Sequence, residues 1–97
     1  MPPVIYLAEA ADDIAAARAD DESRSAGLGN RFLDAVYRAV ALIEGSPRLD
    51  GEVAAGIRAG PTKRFPFVIY YRVEPQAVIV IAVRHGRDNP AIWQGRG

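Results

Sequence analysis

The chain has 97 residues, no net charge, 49% apolar residues and 25% charged residues, and this length accommodates one domain over residues 1–97. The composition argues against wholesale disorder. The absence of cysteine and the single histidine exclude disulfides, thiolate zinc sites and multi-histidine metal sites. We therefore expect neither a metal nor a cofactor.

The sequence shows no membrane segment and no secretion signal. Its longest uninterrupted apolar run, residues 77–83, has seven residues, whereas a membrane-spanning helix needs about 20. The first residues lack the basic start and the apolar stretch of a signal peptide. We therefore expect a cytoplasmic protein that does not enter a membrane.

The zero net charge conceals an uneven distribution of charge along the chain. Residues 1–50 contain five Arg and nine Asp or Glu, whereas residues 51–97 contain seven Lys or Arg and three Asp or Glu. Such an asymmetry indicates a polar partner on the basic half, unless the acidic residues only cover helix surfaces.

The first half of the chain predicts a short strand and a helical hairpin. Residues 4–7 are rich in β-forming side chains, and two preceding prolines place them at or near a sheet edge. Residues 9–22 hold six alanines and begin with acidic residues, which favours a helix. Residues 28–43 carry an apolar stripe with the 3.6-residue period of a second helix, ended by Gly45 and Pro47. The stripe comprises Leu28, Phe32, Ala35, Val36, Ala39, Val40 and Ile43.

The second half predicts a loop over residues 45–56, a short strand over 57–59 and two strong strands over 65–73 and 77–84. The three-residue link between the strong strands is short enough only for a hairpin. Residues 86–97 are expected to form an irregular tail anchored by Trp93. The resulting order, β-α-α-β-β-β, predicts an α+β fold in which a helical hairpin packs on a small antiparallel sheet.

Strand alternation assigns the two faces of this hairpin, provided that Val73 pairs with Ala77. Phe67, Ile69, Ile79 and Ile81 are then expected to pack on the stripe of the second helix. A slip of one residue would exchange the two faces. The set expected to face the helices is Phe65, Phe67, Ile69, Tyr71, Ile79, Ile81, Val83 and His85, and the outward set is Val68, Tyr70, Arg72, Val78, Val80 and Arg84.

The basic half contains the candidate site residues. A basic face with an aromatic side chain could bind phosphate groups or an acidic protein segment, or could only keep the face soluble. His85 could transfer a proton near neutral pH or make a structural hydrogen bond, and Trp93 could close the core beneath the tail. The candidates for binding a target are Lys63, Arg64, Tyr70, Arg72, Arg84, Arg87 and Trp93.

Three stretches of this sequence resemble a known family pattern. They are Gly29-Asn30-Arg31-Phe32-Leu33, the run from Lys63 to Val73 (KRFPFVIYYRV), and Val83-Arg84-His85-Gly86-Arg87 followed by Pro90 and Trp93. The chain resembles the RelE/ParE superfamily of toxins from bacterial type II toxin–antitoxin modules, in particular the group labelled ParE-like or plasmid-stabilisation proteins. The resemblance covers nearly the whole chain, and the Arg-Phe-Pro-Phe-Val-Ile-Tyr-Tyr stretch is its most specific part.

The resemblance implies a small toxin that a cognate antitoxin wraps and holds inactive. Two mechanisms occur on this fold: RelE-like members cleave messenger RNA in the ribosome, and ParE-like members poison DNA gyrase without cleaving RNA. The family's usual His-Gly-Arg-Arg-Asp-Pro is here His85-Gly86-Arg87-Asp88-Asn89-Pro90, so an acid replaces the second arginine. A ribosome-dependent nuclease is also normally strongly basic, and this chain is neutral.

We therefore expect a non-enzymatic toxin that binds a protein target such as gyrase. The alternatives are a ribosome-dependent endoribonuclease and a toxin-fold protein that only binds its partner. If the chain cleaves RNA, its catalytic candidates are Arg72, Arg84, His85 and Arg87. The sequence leaves open the antitoxin's identity and whether the chain forms a homo-oligomer or a toxin–antitoxin hetero-oligomer.

Overall fold

A computed structural model describes residues 2–96 of the chain. None of the helices in this part combines the length and apolar character that crossing a membrane requires. The elements are β1 (Val4–Tyr6), α1 (Ala8–Arg24), α2 (Leu28–Gly45), β2 (Glu52–Ala54), β3 (Ile57–Pro61), β4 (Phe67–Val73), β5 (Val78–His85) and α3 (Ala91–Gln94).

The strands form one five-stranded sheet in the order β1-β5-β4-β3-β2. This arrangement confirms the α+β fold and the β4–β5 hairpin, but the sheet is mixed, because β1 pairs with β5 in parallel. Two further elements were not expected. β2 lies inside the predicted loop and pairs with β3, and the tail contains the one-turn helix α3.

The two helices form the expected hairpin, and a carboxylate organises its turn. Gly27 adopts a φ of 85°, a conformation that suits glycine, and the Glu22 carboxylate accepts hydrogen bonds from the backbone N–H groups of Gly27 and Gly29. These bonds, together with the nearby charges of Arg18 and Arg31, lower the pKa of Glu22. A Cβ atom on Gly29 would lie 2.8 Å from the Arg18 carbonyl oxygen, so the helices approach closely at this point.

The predicted stripe of α2 forms the core, where Phe32, Val36, Val40 and Ile43 are all buried. They pack with Ile69 and with other buried side chains of β4 and β5, namely Tyr71, Val78, Val80 and Val83. Phe32 is completely buried and contacts the rings of Phe65 and Phe67 edge to face, with centroid distances of 5.7 and 5.1 Å.

The prediction of which β5 side chains face the helices was wrong over the first half of the strand. Val73 pairs with Val78 instead of Ala77, and a bulge opposite Tyr70 and Tyr71 interrupts the β4–β5 register. Val78 and Val80 therefore join the core beneath the helices, whereas Ile81 packs in a second cluster with Tyr70 and Trp93. Beyond the bulge the expected alternation holds, so that Val83 packs in the same core as Ile69 and Tyr71.

Candidate functional site

Two connecting loops meet at one end of the sheet and bring several predicted site residues together. Phe67 pairs with His85 at the ends of β4 and β5, and the N–H of Gly86 donates to the carbonyl of Pro66 over 2.8 Å. The loop before β4 therefore lies beside the loop after β5. We call the surface formed by Lys63, Arg64, His85 and Arg87 the basic corner.

The loop that carries Lys63 and Arg64 is held in place by buried neighbours. The hydroxyl of Thr62, a buried residue, donates to the carbonyl of Phe67 over 2.8 Å, and the carbonyl of Phe65 lies 3.2 Å from the same oxygen. The ring of Phe65 packs on Phe32 of α2. Arg64 has a φ of 68°, a left-handed conformation that costs a non-glycine residue energy. The fold thus fixes the backbone of an exposed basic loop.

Three cations of the basic corner are free to meet a partner. Lys63, Arg64 and Arg87 are exposed, and none of them forms an ion pair within residues 2–96. His85 is half-buried, and its Nδ1 atom accepts a hydrogen bond from the N–H of Arg87 over 3.0 Å. The imidazole therefore makes the structural hydrogen bond that was one of its two predicted roles, and it leaves Nε2 to carry the proton when the ring is neutral.

Arg84 is engaged in a network of charges and is not a free cation. Its guanidinium contacts the carboxylates of Asp13, at 3.2 Å, and Asp88, at 3.0 Å. Asp13, a buried residue of α1, also accepts hydrogen bonds from the N–H of Val83 and from the guanidinium of Arg96. Asp13 thereby links α1, β5 and the C-terminal tail.

Tyr70 is not the exposed aromatic side chain that the alternation predicted, and Trp93, the other aromatic candidate for binding a target, is not exposed either. Both are buried, and their rings stack with centroids 4.2 Å apart and an interplanar angle of 17°. Burial and the charge of Asp88 raise the pKa of Tyr70. Trp93 closes the core beneath the tail, which is the second of the two roles predicted for it.

Arg72 lies away from the basic corner. It pairs with Ile79 near the opposite end of the β4–β5 hairpin. It lies five positions along β4 from Phe67, which is about 17 Å of extended strand. It is half-buried, and its Nε atom is buried without an acceptor among residues 2–96. The predicted set thus divides into the basic corner, the Arg84 network, the stacked pair Tyr70–Trp93 and the distant Arg72.

A groove next to the basic corner was not predicted from the sequence. It runs between α2, the loop over residues 46–50 and β3, and its volume is about 1220 Å³. Leu42 and Leu49 on its border are 69% and 83% exposed. Leu42 lies on α2 outside its apolar stripe, and Leu49 lies in the loop that follows α2. An apolar residue outside the stripe is the one sequence signal that could have revealed this surface. The lining also includes Arg31, Asp34, Ala35, Arg38, Ala39, Ile43, Asp50, Gly60, Lys63, Arg64 and Phe65.

Tyr71 and Asp50 fix the wall of this groove. The Tyr71 hydroxyl donates to the Asp50 carboxylate over 2.9 Å, and the carbonyl of Pro47 lies 3.1 Å from the same oxygen. Burial and the neighbouring carboxylate raise the pKa of Tyr71 well above its usual range. Within residues 2–96 no three His, Asp or Glu side chains come together in a way that could hold a metal ion.

Comparisons with known proteins agree with this geometry. The family model described as "ParE toxin of type II toxin-antitoxin system, parDE" matches residues 4–90. A solved structure, the "Chromosomal ParDE TA system from P. aeruginosa", has a similar fold with a TM-score of 0.65 and 18% sequence identity; the match covers 88% of this chain and 96% of that one. No curated protein matches the chain.

Proposed function

Because the chain belongs to the ParE toxin family of type II toxin–antitoxin modules, we propose that it is a growth-inhibitory toxin neutralised by a cognate antitoxin. Its target in this proposal is a protein of the cytoplasm, DNA gyrase, and the toxin acts by binding it. The module would stabilise the plasmid or other replicon that carries it.

The observation that favours binding over RNA cleavage is the placement of the four catalytic candidates. Cleavage of a phosphodiester needs a group that stabilises developing negative charge and a proton donor, both directed at the same phosphate. Arg84 instead contacts two carboxylates, and Arg72 lies at the other end of the hairpin from His85. Only His85 and Arg87 remain together, joined by a hydrogen bond within their own turn.

The basic corner supports a binding function directly. Lys63, Arg64 and Arg87 are exposed and form no ion pair with the part of the chain that the structure describes. Their loops are held by Thr62, Phe65 and the Pro66–Gly86 hydrogen bond. Charges on fixed loops complement an acidic protein surface and accelerate its encounter. We expect the affinity for the target to fall as the salt concentration rises.

The test is induction of the toxin without antitoxin, followed by measurements of DNA supercoiling, the DNA-damage response and translation. We expect purified toxin to inhibit gyrase supercoiling and induction to raise the damage response while messenger RNA stays intact. Cleavage of ribosome-bound messenger RNA with unchanged supercoiling would overturn the proposal. The absence of any effect on growth would favour a protein that only binds its partner.

Two variants sharpen this test. His85→Gln should leave gyrase inhibition within about twofold of the parent, because the imidazole makes structural contacts, a hydrogen bond within its own turn and an edge-to-face contact with the Phe67 ring. Arg87→Glu should weaken inhibition by at least about tenfold, and more at low salt than at high salt. If the chain were a nuclease, His85→Gln would instead cut its activity by about a hundredfold or more.

A further inference from the structure

The imidazole of His85 combines a hydrogen bond and a titratable charge at the basic corner. Its Nδ1 atom accepts a hydrogen bond from the N–H of Arg87 over 3.0 Å. A protonated imidazole carries a hydrogen on both ring nitrogens and accepts from neither. Uptake of one proton therefore removes this bond and adds one positive charge, and an imidazole ordinarily takes up that proton at about pH 6.5.

The turn after β5 does not depend on this one hydrogen bond. The N–H of Asp88 donates to the carbonyl of His85 over 2.9 Å, and the N–H of Gly86 donates to the carbonyl of Pro66 over 2.8 Å. Arg87 is exposed, so its released N–H can donate to water instead. Protonation of His85 therefore leaves the turn in place, and the main change at the surface is the added charge.

The two loops around His85 leave this added charge uncompensated. The Asp88 carboxylate is engaged by Arg84, at 3.0 Å. The three exposed cations form no ion pair within residues 2–96. They are Lys63, Arg64 and Arg87. Protonation of His85 thus raises the unpaired cations of the basic corner from three to four.

The helices beside this end of the sheet contribute buried acids and an exposed cation. The Phe67 ring contacts the imidazole of His85 edge to face, with centroids 6.0 Å apart, and packs on Phe32 of α2. It also lines a small cleft with Ala17 of α1. The acids on the same face of α1 are Asp13 and Asp21, and both are buried. Since Arg31 of α2 is exposed, a partner that approaches the basic corner meets positive charge.

We propose that His85 makes target binding sensitive to pH: its protonation supplies a fourth cation to the basic corner, and the toxin binds an acidic protein surface more tightly as the pH falls from about 8 to about 6. Aspartate and glutamate side chains ordinarily titrate at about pH 4, so the partner keeps its negative charge over this range. Because the two equilibria are linked, binding of the partner also draws a proton onto His85. The proposal rests on the function proposed above and adds a regulation of the same surface.

The test measures gyrase affinity at low salt, at about pH 8 and about pH 6, for the parent, His85→Gln and His85→Lys. The glutamine can accept the N–H of Arg87 but takes up no proton, and the lysine is charged at both pH values. Between the two pH values the parent should gain at least about threefold in affinity relative to His85→Gln. At about pH 8, His85→Lys should bind more tightly than the parent by a similar factor, and at about pH 6 the two should bind alike.

Two further measurements follow the proton itself. Calorimetry of gyrase binding at about pH 7, in two buffers of different ionisation enthalpy, should show more proton uptake for the parent than for His85→Gln. In the free toxin, the nuclear magnetic resonance signal of the Arg87 amide should shift with the same midpoint as the His85 ring, because the ring is the acceptor of that N–H. The shift should be absent in His85→Gln.

The same pH dependence in the parent and in His85→Gln would overturn the proposal. Weaker binding by the parent alone at the lower pH would also overturn it, because the hydrogen bond would then matter more than the charge. If His85→Gln fails to fold, the comparison of the parent with His85→Lys decides. If the parent does not bind gyrase at either pH, the proposed function fails. Binding of a polyglutamate peptide then tests the charge: a gain at the lower pH in the parent alone supports the proposal, and equal behaviour of the parent and His85→Gln overturns it.

Discussion

Replacing Asp13 with alanine should destabilise the fold more than any other change of a charged residue within residues 2–96. The Asp13 carboxylate is buried and is the acceptor for the Val83 N–H, for Arg84 and for Arg96. Arg96 also donates to the carbonyl of Ile81 at the β5 bulge. Asp13→Ala would leave the backbone N–H of Val83 and the guanidinium of Arg96 without their carboxylate. Arg84 would keep its ion pair with Asp88.

The expected cost is about 3 kcal/mol of unfolding free energy. Removing one partner of a buried ion pair typically costs about 3–5 kcal/mol, and the lower end applies because the Arg96 side chain is 15% exposed and the Arg84 side chain 31% exposed. A domain of this size is stable by about 5–15 kcal/mol. Each kcal/mol lowers the melting temperature by about 4–8 °C, so the midpoint should fall by about 12–24 °C.

Urea and thermal unfolding of the parent and the variant measure this loss. Asp12→Ala, an exposed change on the adjacent residue of α1, is the matched control and should stay within about 0.5 kcal/mol of the parent. Arg96→Ala should add little further loss on top of Asp13→Ala, since the two side chains belong to one network. A loss of less than about 1 kcal/mol for Asp13→Ala, or full additivity with Arg96→Ala, would refute the network.

Three further changes test the core, the turn between α1 and α2, and the wall of the groove. Phe32→Ala should cost about 3–5 kcal/mol in urea unfolding, because the ring is completely buried between Phe65 and Phe67; a loss under about 1 kcal/mol would contradict this packing. Glu22→Gln should lower the melting temperature at neutral pH. This deficit should shrink as the pH falls below about 4, because a carboxylate with a lowered pKa stabilises the fold only while it is ionised. Tyr71→Phe should cost about 1 kcal/mol in urea unfolding through the lost bond to Asp50, and an unchanged midpoint would contradict it.

Local patterns in the sequence were sufficient to predict the helices and the half of the core that α2 contributes. The 3.6-residue spacing of apolar residues determines which face of α2 is buried, and Phe32, Val36, Val40 and Ile43 are all buried as predicted. The hairpin of β4 and β5 also follows from local sequence, because a link of three predicted residues, four in the structure, leaves two long strands no other way to pair.

Strand alternation failed where the register departed from a regular ladder. The pairing of Val73 with Val78 and the bulge opposite Tyr70 and Tyr71 in the same strand pair reversed the faces of residues 78–81. Neither feature has a signal in the residues themselves. The burial of Tyr70 depends on Trp93, which is 23 residues away along the chain. The groove likewise depends on how α2 and β3 are placed relative to each other, which no local pattern contains.

The charge asymmetry of the sequence nevertheless leads to the candidate site. Part of it is neutralised inside the fold, since the acidic α1 supplies Asp13 to Arg84 and Arg96 of the basic half. Arg58 pairs with Glu52, and Arg72 is half-buried. The three remaining cations of residues 51–97, Lys63, Arg64 and Arg87, are all exposed and all belong to the basic corner. A chain of zero net charge thus presents one concentrated basic surface, which suits selective binding of an acidic protein better than general attraction to RNA phosphates.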